Sequence, residues 1–124
     1  MRKCIRPGEV WLDTAGQRIQ AHGGSVFFEE GFYYWYGEDK SHTGKKGKIW
    51  TWGVKCYRSQ DLANWEDMGH IVAPAPENKE SLFHPNRRLD RPHIIKNEKN
   101  GKYVLWLKFC DKAHFTILTS DALL

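Results

Sequence analysis

The sequence has 124 residues, 14% of them aromatic (six Trp, five Tyr, six Phe), and a formal net charge of +4. That aromatic share excludes a disordered chain, and the length suits one compact domain with a modest core. The positive excess gathers at Lys45, Lys46 and Lys48 in a Gly-spaced stretch, a solvated loop rather than the basic stripe of a nucleic-acid binder.

Strand signals dominate the chain. Residues 25–28 form a short apolar run, then Glu29-Glu30-Gly31 a turn, then residues 32–36 a second run. The two read as a hairpin, because Gly accepts the positive φ of a tight turn. Residues 37–47 are polar and rich in Gly and Lys, which predicts a loop. Residues 52–58 predict a third strand, 59–64 a turn, and 65–72 a short fourth strand. A Pro-rich linker follows over 73–90. Strand signals resume over 91–96, 102–109 and 114–119, with the first two joined by Asn97-Glu98-Lys99-Asn100-Gly101 and its Asn-Gly signal. No amphipathic helix stands out.

The halves resemble each other. Gly31-Phe32-Tyr33-Tyr34-Trp35 is similar to Gly101-Lys102-Tyr103-Val104-Leu105-Trp106, and Arg58-Ser59-Gln60-Asp61-Leu62 to Leu118-Thr119-Ser120-Asp121-Ala122-Leu123. The pairs are offset by 70 and 60 residues, which an extra ten residues in the 37–47 loop would explain. Four-stranded units of about 40 to 50 residues are the blades of β-propellers. The fold class read from this pattern is all-β, with blade one over about 19–72, the linker over 73–90 and an incomplete blade two over 91–124. Two blades without closure leave bare strand edges, so the chain is expected to be part of a longer propeller or to self-associate through its open edges.

Two segments concentrate polar groups. In the first, Ile19-Gln20-Ala21-His22-Gly23-Gly24 precedes Tyr33-Tyr34-Trp35-Tyr36-Gly37-Glu38. Adjacent glycines let backbone approach a ligand closely, aromatic faces suit sugar rings, and Glu38 can accept hydrogen bonds from sugar hydroxyls. The bland alternatives are that His22 holds a turn, the glycines permit a bend, and Glu38 is solvated. In the second, Asp90-Arg91-Pro92-His93, Asp90 is either a carboxylate poised by a nearby cation or half of an ordinary surface ion pair.

Other constellations are missing. No His pair has metal-ligand spacing, no Gly-rich phosphate loop leads into a helix, and no Ser sits in a nucleophile elbow. No cofactor or metal is therefore expected, and no apolar segment is long enough to span a membrane. Cys4, Cys56 and Cys110 are too few and too widely spaced for a disulfide framework or a CxxC site. Cys56 and Cys110 lie in apolar runs and are expected to be buried free thiols. Residues 1–10 lack the apolar core of a signal peptide, which leaves the compartment open.

Several of these segments, in this order, resemble glycoside hydrolase family 43. Pro7-Gly8-Glu9-Val10-Trp11-Leu12-Asp13-Thr14, the His22-Gly23-Gly24 and Tyr33–Glu38 segments, and Tyr57-Arg58-Ser59-Gln60-Asp61-Leu62-Ala63-Asn64-Trp65 are similar to the opening of its exo-β-1,3-galactanase branch. Asp90-Arg91-Pro92-His93-Ile94-Ile95-Lys96-Asn97 with Gly101–Trp106 looks like that branch's second blade. The resemblance implies a five-bladed propeller with an axial sugar pocket, inverting hydrolysis of a plant-type polysaccharide such as β-1,3-galactan, and an extracytoplasmic setting. It implies a catalytic role for Asp90, where the branch typically carries Glu, and substrate contacts for His22, Gly23, Gly24, Tyr36, Glu38 and Arg91. Most of the family has an Asp base early in blade one; Ala21-His22-Gly23-Gly24 has none, as in the galactanase branch. The family's general acid lies in a later blade, so this chain alone is expected to be inactive. A non-catalytic carbohydrate-binding module remains the alternative.

Overall fold

A computed structural model describes residues 4–44, 48–111 and 113–124; Lys45 and Lys46 of the basic stretch lie outside the described residues. Seven strands follow one another: β1 (His22–Glu29), β2 (Phe32–Glu38), β3 (Val54–Ser59), β4 (Glu66–Val72), β5 (Leu89–Lys96), β6 (Tyr103–Phe109) and β7 (His114–Ser120). They form two antiparallel sheets in sequential order, β1-β2-β3-β4 and β5-β6-β7. Among the described residues there is no helix.

The β1–β2 hairpin closes through a two-residue turn. Glu30 (φ 49°) and Gly31 (φ 84°) both adopt the left-handed conformation, and Glu29 pairs directly with Phe32. This is the type I′ geometry whose twist matches the strands. The β5–β6 connection is longer. Gly101 N–H donates to Asn97 O at 2.8 Å and Asn97 N–H to Lys102 O at 2.8 Å, so the Asn-Gly pair ends a wider loop.

Alternation along the strands builds two cores. Tyr36, Val54, Cys56 and Val72 point to the face shared with the second sheet, where they meet Leu89, Ile94, Leu105, Leu107 and Phe109. Ile19, Ala21, Tyr57 and Trp65 pack on the opposite face of the first sheet with Trp11, Tyr33, Trp35 and Leu62. The Ser59–Trp65 turn between β3 and β4 is self-supporting. Asp61 Oδ1 accepts the Ala63 and Asn64 amides at 2.9 and 2.8 Å, and Trp65 Nε1–H donates to Leu62 O at 3.1 Å. Those bonds hold the Asp61 carboxyl below the usual range, the Asn64 amide first among them.

Three expectations change. β2 runs through Gly37 and Glu38, which pair with Lys55 and Val54, so both belong to the strand and not to the loop. Gly37 permits this because an added Cβ would fall 2.2 Å from the Ala21 carbonyl carbon. β5 starts at Leu89, so Asp90 is a strand residue. Cys110 is exposed, since β6 ends at Phe109 and the thiol lies on the turn beyond it. Cys56 is buried, and loss of hydration pushes its thiol up to about 12.

Candidate functional site

The first strand of each sheet carries the same irregularity near its start. Register shifts between His22 and Ser25 in β1, and between Asp90 and His93 in β5. Within these bulges Gly23 (φ 61°) and Arg91 (φ 51°) occupy corresponding left-handed positions. For glycine this is free; for Arg91, which precedes a proline, it is a strained conformation that the surroundings must hold. Bulges of this kind re-aim side chains. β5 packs against both β1 and β2, so the two bulges meet the end of β2.

Glu38 sits where they meet, paired in register with His22 and only 4% exposed. Its Oε1 accepts the Arg91 amide at 2.8 Å. Its Oε2 lies 2.7 Å from Lys40 Nζ. Gly23 leaves room for it, since an added Cβ would lie 2.7 Å from Oε1. A buried carboxylate needs such partners, because an uncompensated charge would cost several kcal/mol.

Asp90 is the second carboxylate, with 16% of its side chain exposed. Oδ1 accepts the Trp50 indole N–H at 2.8 Å and lies 3.9 Å from Lys40 Nζ. Asp90 also hydrogen-bonds the Cys110 thiol, which raises that thiol above its ordinary value. The cation within electrostatic reach of Asp90 is thus Lys40, from the segment after β2, and both side chains are largely buried, 19% and 16% exposed.

The remaining predicted residues divide. His22 is exposed, its ring bonded to Gln20 Oε1 at 3.0 Å. Partial burial, then Arg18, lowers its pKa, so the neutral ring is favoured. Arg91 is exposed. Gly24 lies flat on β2, where an added Cβ would fall 1.9 Å from Tyr36 O. Tyr36 does not reach the site. It is 1% exposed in the core between the sheets, its hydroxyl accepting the Ile94 amide at 2.8 Å. It is a structural tie between blades, and burial raises its phenol. Sequence reasoning missed Lys40, Trp50 and Cys110. A tryptophan inside the polar 40–52 segment was the signal that the loop folds back onto something. Among the described residues no cluster of three His, Cys, Asp or Glu side chains could hold a metal ion, and no helix is long and apolar enough to cross a membrane.

No family model and no curated protein matches the chain. Solved structures do. A protein described as a family 43 β-1,3-galactosidase is 34% identical over 96% of this chain and 25% of its own, with a TM-score of 0.78. A second protein so described, solved with galactodeoxynojirimycin, is 36% identical over 93% of this chain and 34% of its own, with a TM-score of 0.80. The exo-β-1,3-galactanase of Phanerochaete chrysosporium, solved with galactose, is 32% identical over 93% of this chain and 26% of its own, with a TM-score of 0.78. The chain therefore spans between 25% and 34% of the length of these relatives.

Proposed function

We propose, from the premise that this chain belongs to family 43 of the glycoside hydrolases, that it forms one side of a galactose-binding pocket in a β-1,3-galactan hydrolase. The observation that carries the reading is the buried Glu38, locked by the Arg91 amide and by Lys40 beside Asp90 at the junction of the two sheets. Fixed carboxylate oxygens at such a junction suit the hydroxyls of a terminal sugar, with His22 and Arg91 at the rim. Tyr36 has no part in the pocket.

Charge geometry limits what the two carboxylates do. One ammonium lies 2.7 Å from Glu38 Oε2 and 3.9 Å from Asp90 Oδ1. Those oxygens are therefore at or below the lower end of the roughly 6.5–9.5 Å that separates the two groups of an inverting glycosidase. Glu38 and Asp90 act on one side of the sugar, and the proton donor is a different group. Under this proposal the bond is cleaved with inversion, the chain by itself binds sugar without turning it over, and a polysaccharide substrate places the protein outside the cytoplasm.

A second reading, sugar binding without hydrolysis, is favoured by one observation: Asp90 Oδ1 is already occupied by the Trp50 indole. Both are tested on the protein that carries this chain, with β-1,3-galactan followed by proton NMR and with galactose by calorimetry. Early release of the α-anomer supports the inverting hydrolase, and turnover lost in Asp90→Asn with binding retained supports a catalytic Asp90. Heat without turnover supports the binding module. No heat at millimolar galactose and no turnover would sink both.

A further inference from the structure

Lys40, which the sequence did not single out, lies beside both carboxylates of the site. Its ammonium has three N–H donors. Their acceptors are Glu38 Oε2 at 2.7 Å, the Trp50 carbonyl at 3.0 Å and Thr51 Oγ1 at 3.1 Å. Asp90 Oδ1 lies at 3.9 Å, within electrostatic reach only. The ammonium also sits 4.2 Å from the centroid of the Trp50 ring, a favourable cation–π distance. With all three donors used inside the protein, none is left for a sugar hydroxyl. This is the arrangement of a group that orients others.

What it orients forms a chain of contacts between the sheets. Lys40 fixes Glu38, and Glu38 Oε1 holds the Arg91 amide. That bond anchors Arg91 at φ 51°, a conformation a residue before proline does not choose unaided. Lys40 likewise fixes the Trp50 segment. Trp50 Nε1–H holds Asp90, and Thr51 Oγ1 donates to Leu89 O at 3.0 Å. Both branches end on β5, on either side of Asp90. We propose that Lys40 is a positioning residue: it sets Glu38 directly, and through Glu38 and Trp50 it sets the Asp90–Arg91 bulge. The structural part stands on these contacts alone; its consequence for sugar rests on the pocket proposed above.

Hydrogen exchange at two protons tests the structural part without any sugar. The Arg91 amide reports the Glu38 branch and the Trp50 indole the Asp90 branch, while the Leu107 amide in the middle of β6 serves as control. In Lys40→Met both reporters are expected to exchange about tenfold faster or more, with Leu107 unchanged, as in a local opening. Lys40→Gln, which keeps neutral donors, is expected to fall between. Unchanged reporters in both variants overturn the proposal. So does faster exchange at Leu107 in both, since Lys40 would then support the whole fold rather than the site. Galactose calorimetry on the same proteins reads the consequence: Lys40→Met should weaken binding about thirtyfold or more, the penalty for orphaning a buried charge partner. If wild type binds no galactose but its reporters respond, the sugar reading fails and the positioning role stands. If Met and wild-type proteins bind alike, the positioning role fails as a determinant of binding and the sugar reading stands.

Discussion

Asp39 shows at the level of one residue how the site is braced from behind. It follows Glu38, is 2% exposed, and closes the base of the 40–52 segment. Its amide donates to Gly53 O at 3.0 Å, and its carbonyl accepts the Trp52 amide at 2.8 Å. Burial pushes its carboxyl up, but the hydrogen bonds of His70 and Ser41 outweigh burial and hold it at about 2, against an ordinary 3.8. A carboxyl depressed on folding contributes stability in full above its unfolded value and loses it as pH falls through the folded one. The window here runs from just above pH 4 down to about 2, and the contribution is about 2 kcal/mol. Wild type is thus expected to lose about 2 kcal/mol more than Asp39→Asn across that window, as read by denaturant midpoints at each pH. Parallel profiles would show that the Asp39–His70 pair adds nothing. Asp39 was not legible in the sequence, because its partner His70 is 31 residues away. Glu38 was legible as a carboxylate just beyond an aromatic strand, but its burial was not. The cation that permits that burial is Lys40, two residues along, and a strand with a following loop gives no sign that position 40 folds back onto position 38.

The hairpins and bulges explain which parts of the pattern could be read element by element. The seven strands followed from apolar runs between turn residues, because β-branched and aromatic side chains alternating on a pleated surface leave a local signature. The bulges left none. Gly23-Gly24 and Arg91-Pro92 share no residue type, yet the same register shift places them correspondingly in the two sheets. What unites them is backbone conformation, and for Arg91 that conformation is imposed by a contact 53 residues away in sequence. At the β1–β2 turn the local and tertiary preferences can be separated. Glu30 holds φ 49° with no glycine's freedom, and it is exposed. Asn tolerates this conformation better, and Asn-Gly is the preferred type I′ pair. Glu30→Asn is therefore expected to stabilise the protein by about 0.5–1 kcal/mol, raising the thermal midpoint by about 2–5 °C. A midpoint that falls would show that the Glu30 side chain makes a contribution larger than its backbone strain.

For the whole molecule, the two outer faces of the paired sheets differ in how far they are covered. The first sheet's outer face is covered over its middle strands, while Val26 and Phe28 of β1 on the same face stay 43% and 60% exposed. Ile19 and Ala21, from the segment before β1, pack there against Tyr57 and Trp65, with Trp11 and Trp35 beside them. The second sheet's outer face carries Ile95, Trp106, Phe115 and Ile117, exposed by between 39% and 64%. Pairing puts Trp106 opposite Ile117, so these side chains form one contiguous apolar patch. β7 adds an unpaired edge beside them, since it bonds only β6 in its sheet. A blade pattern read from sequence identifies which residues alternate, but not which of the two faces is left open. Apolar patches and bare strand edges both drive association. The 124-residue chain in isolation is expected to self-associate with rising concentration, measured by light scattering after size exclusion. Phe115→Glu with Ile117→Lys should shift it toward monomer while leaving the sheet pairing intact, because both side chains point away from the core and opposite charges on one strand face do not repel. A wild-type chain that stays monomeric at high concentration would mean that this face is tolerated in water. An association unchanged by the double substitution would move the contact to the β7 backbone edge, where main-chain pairing does not depend on those side chains.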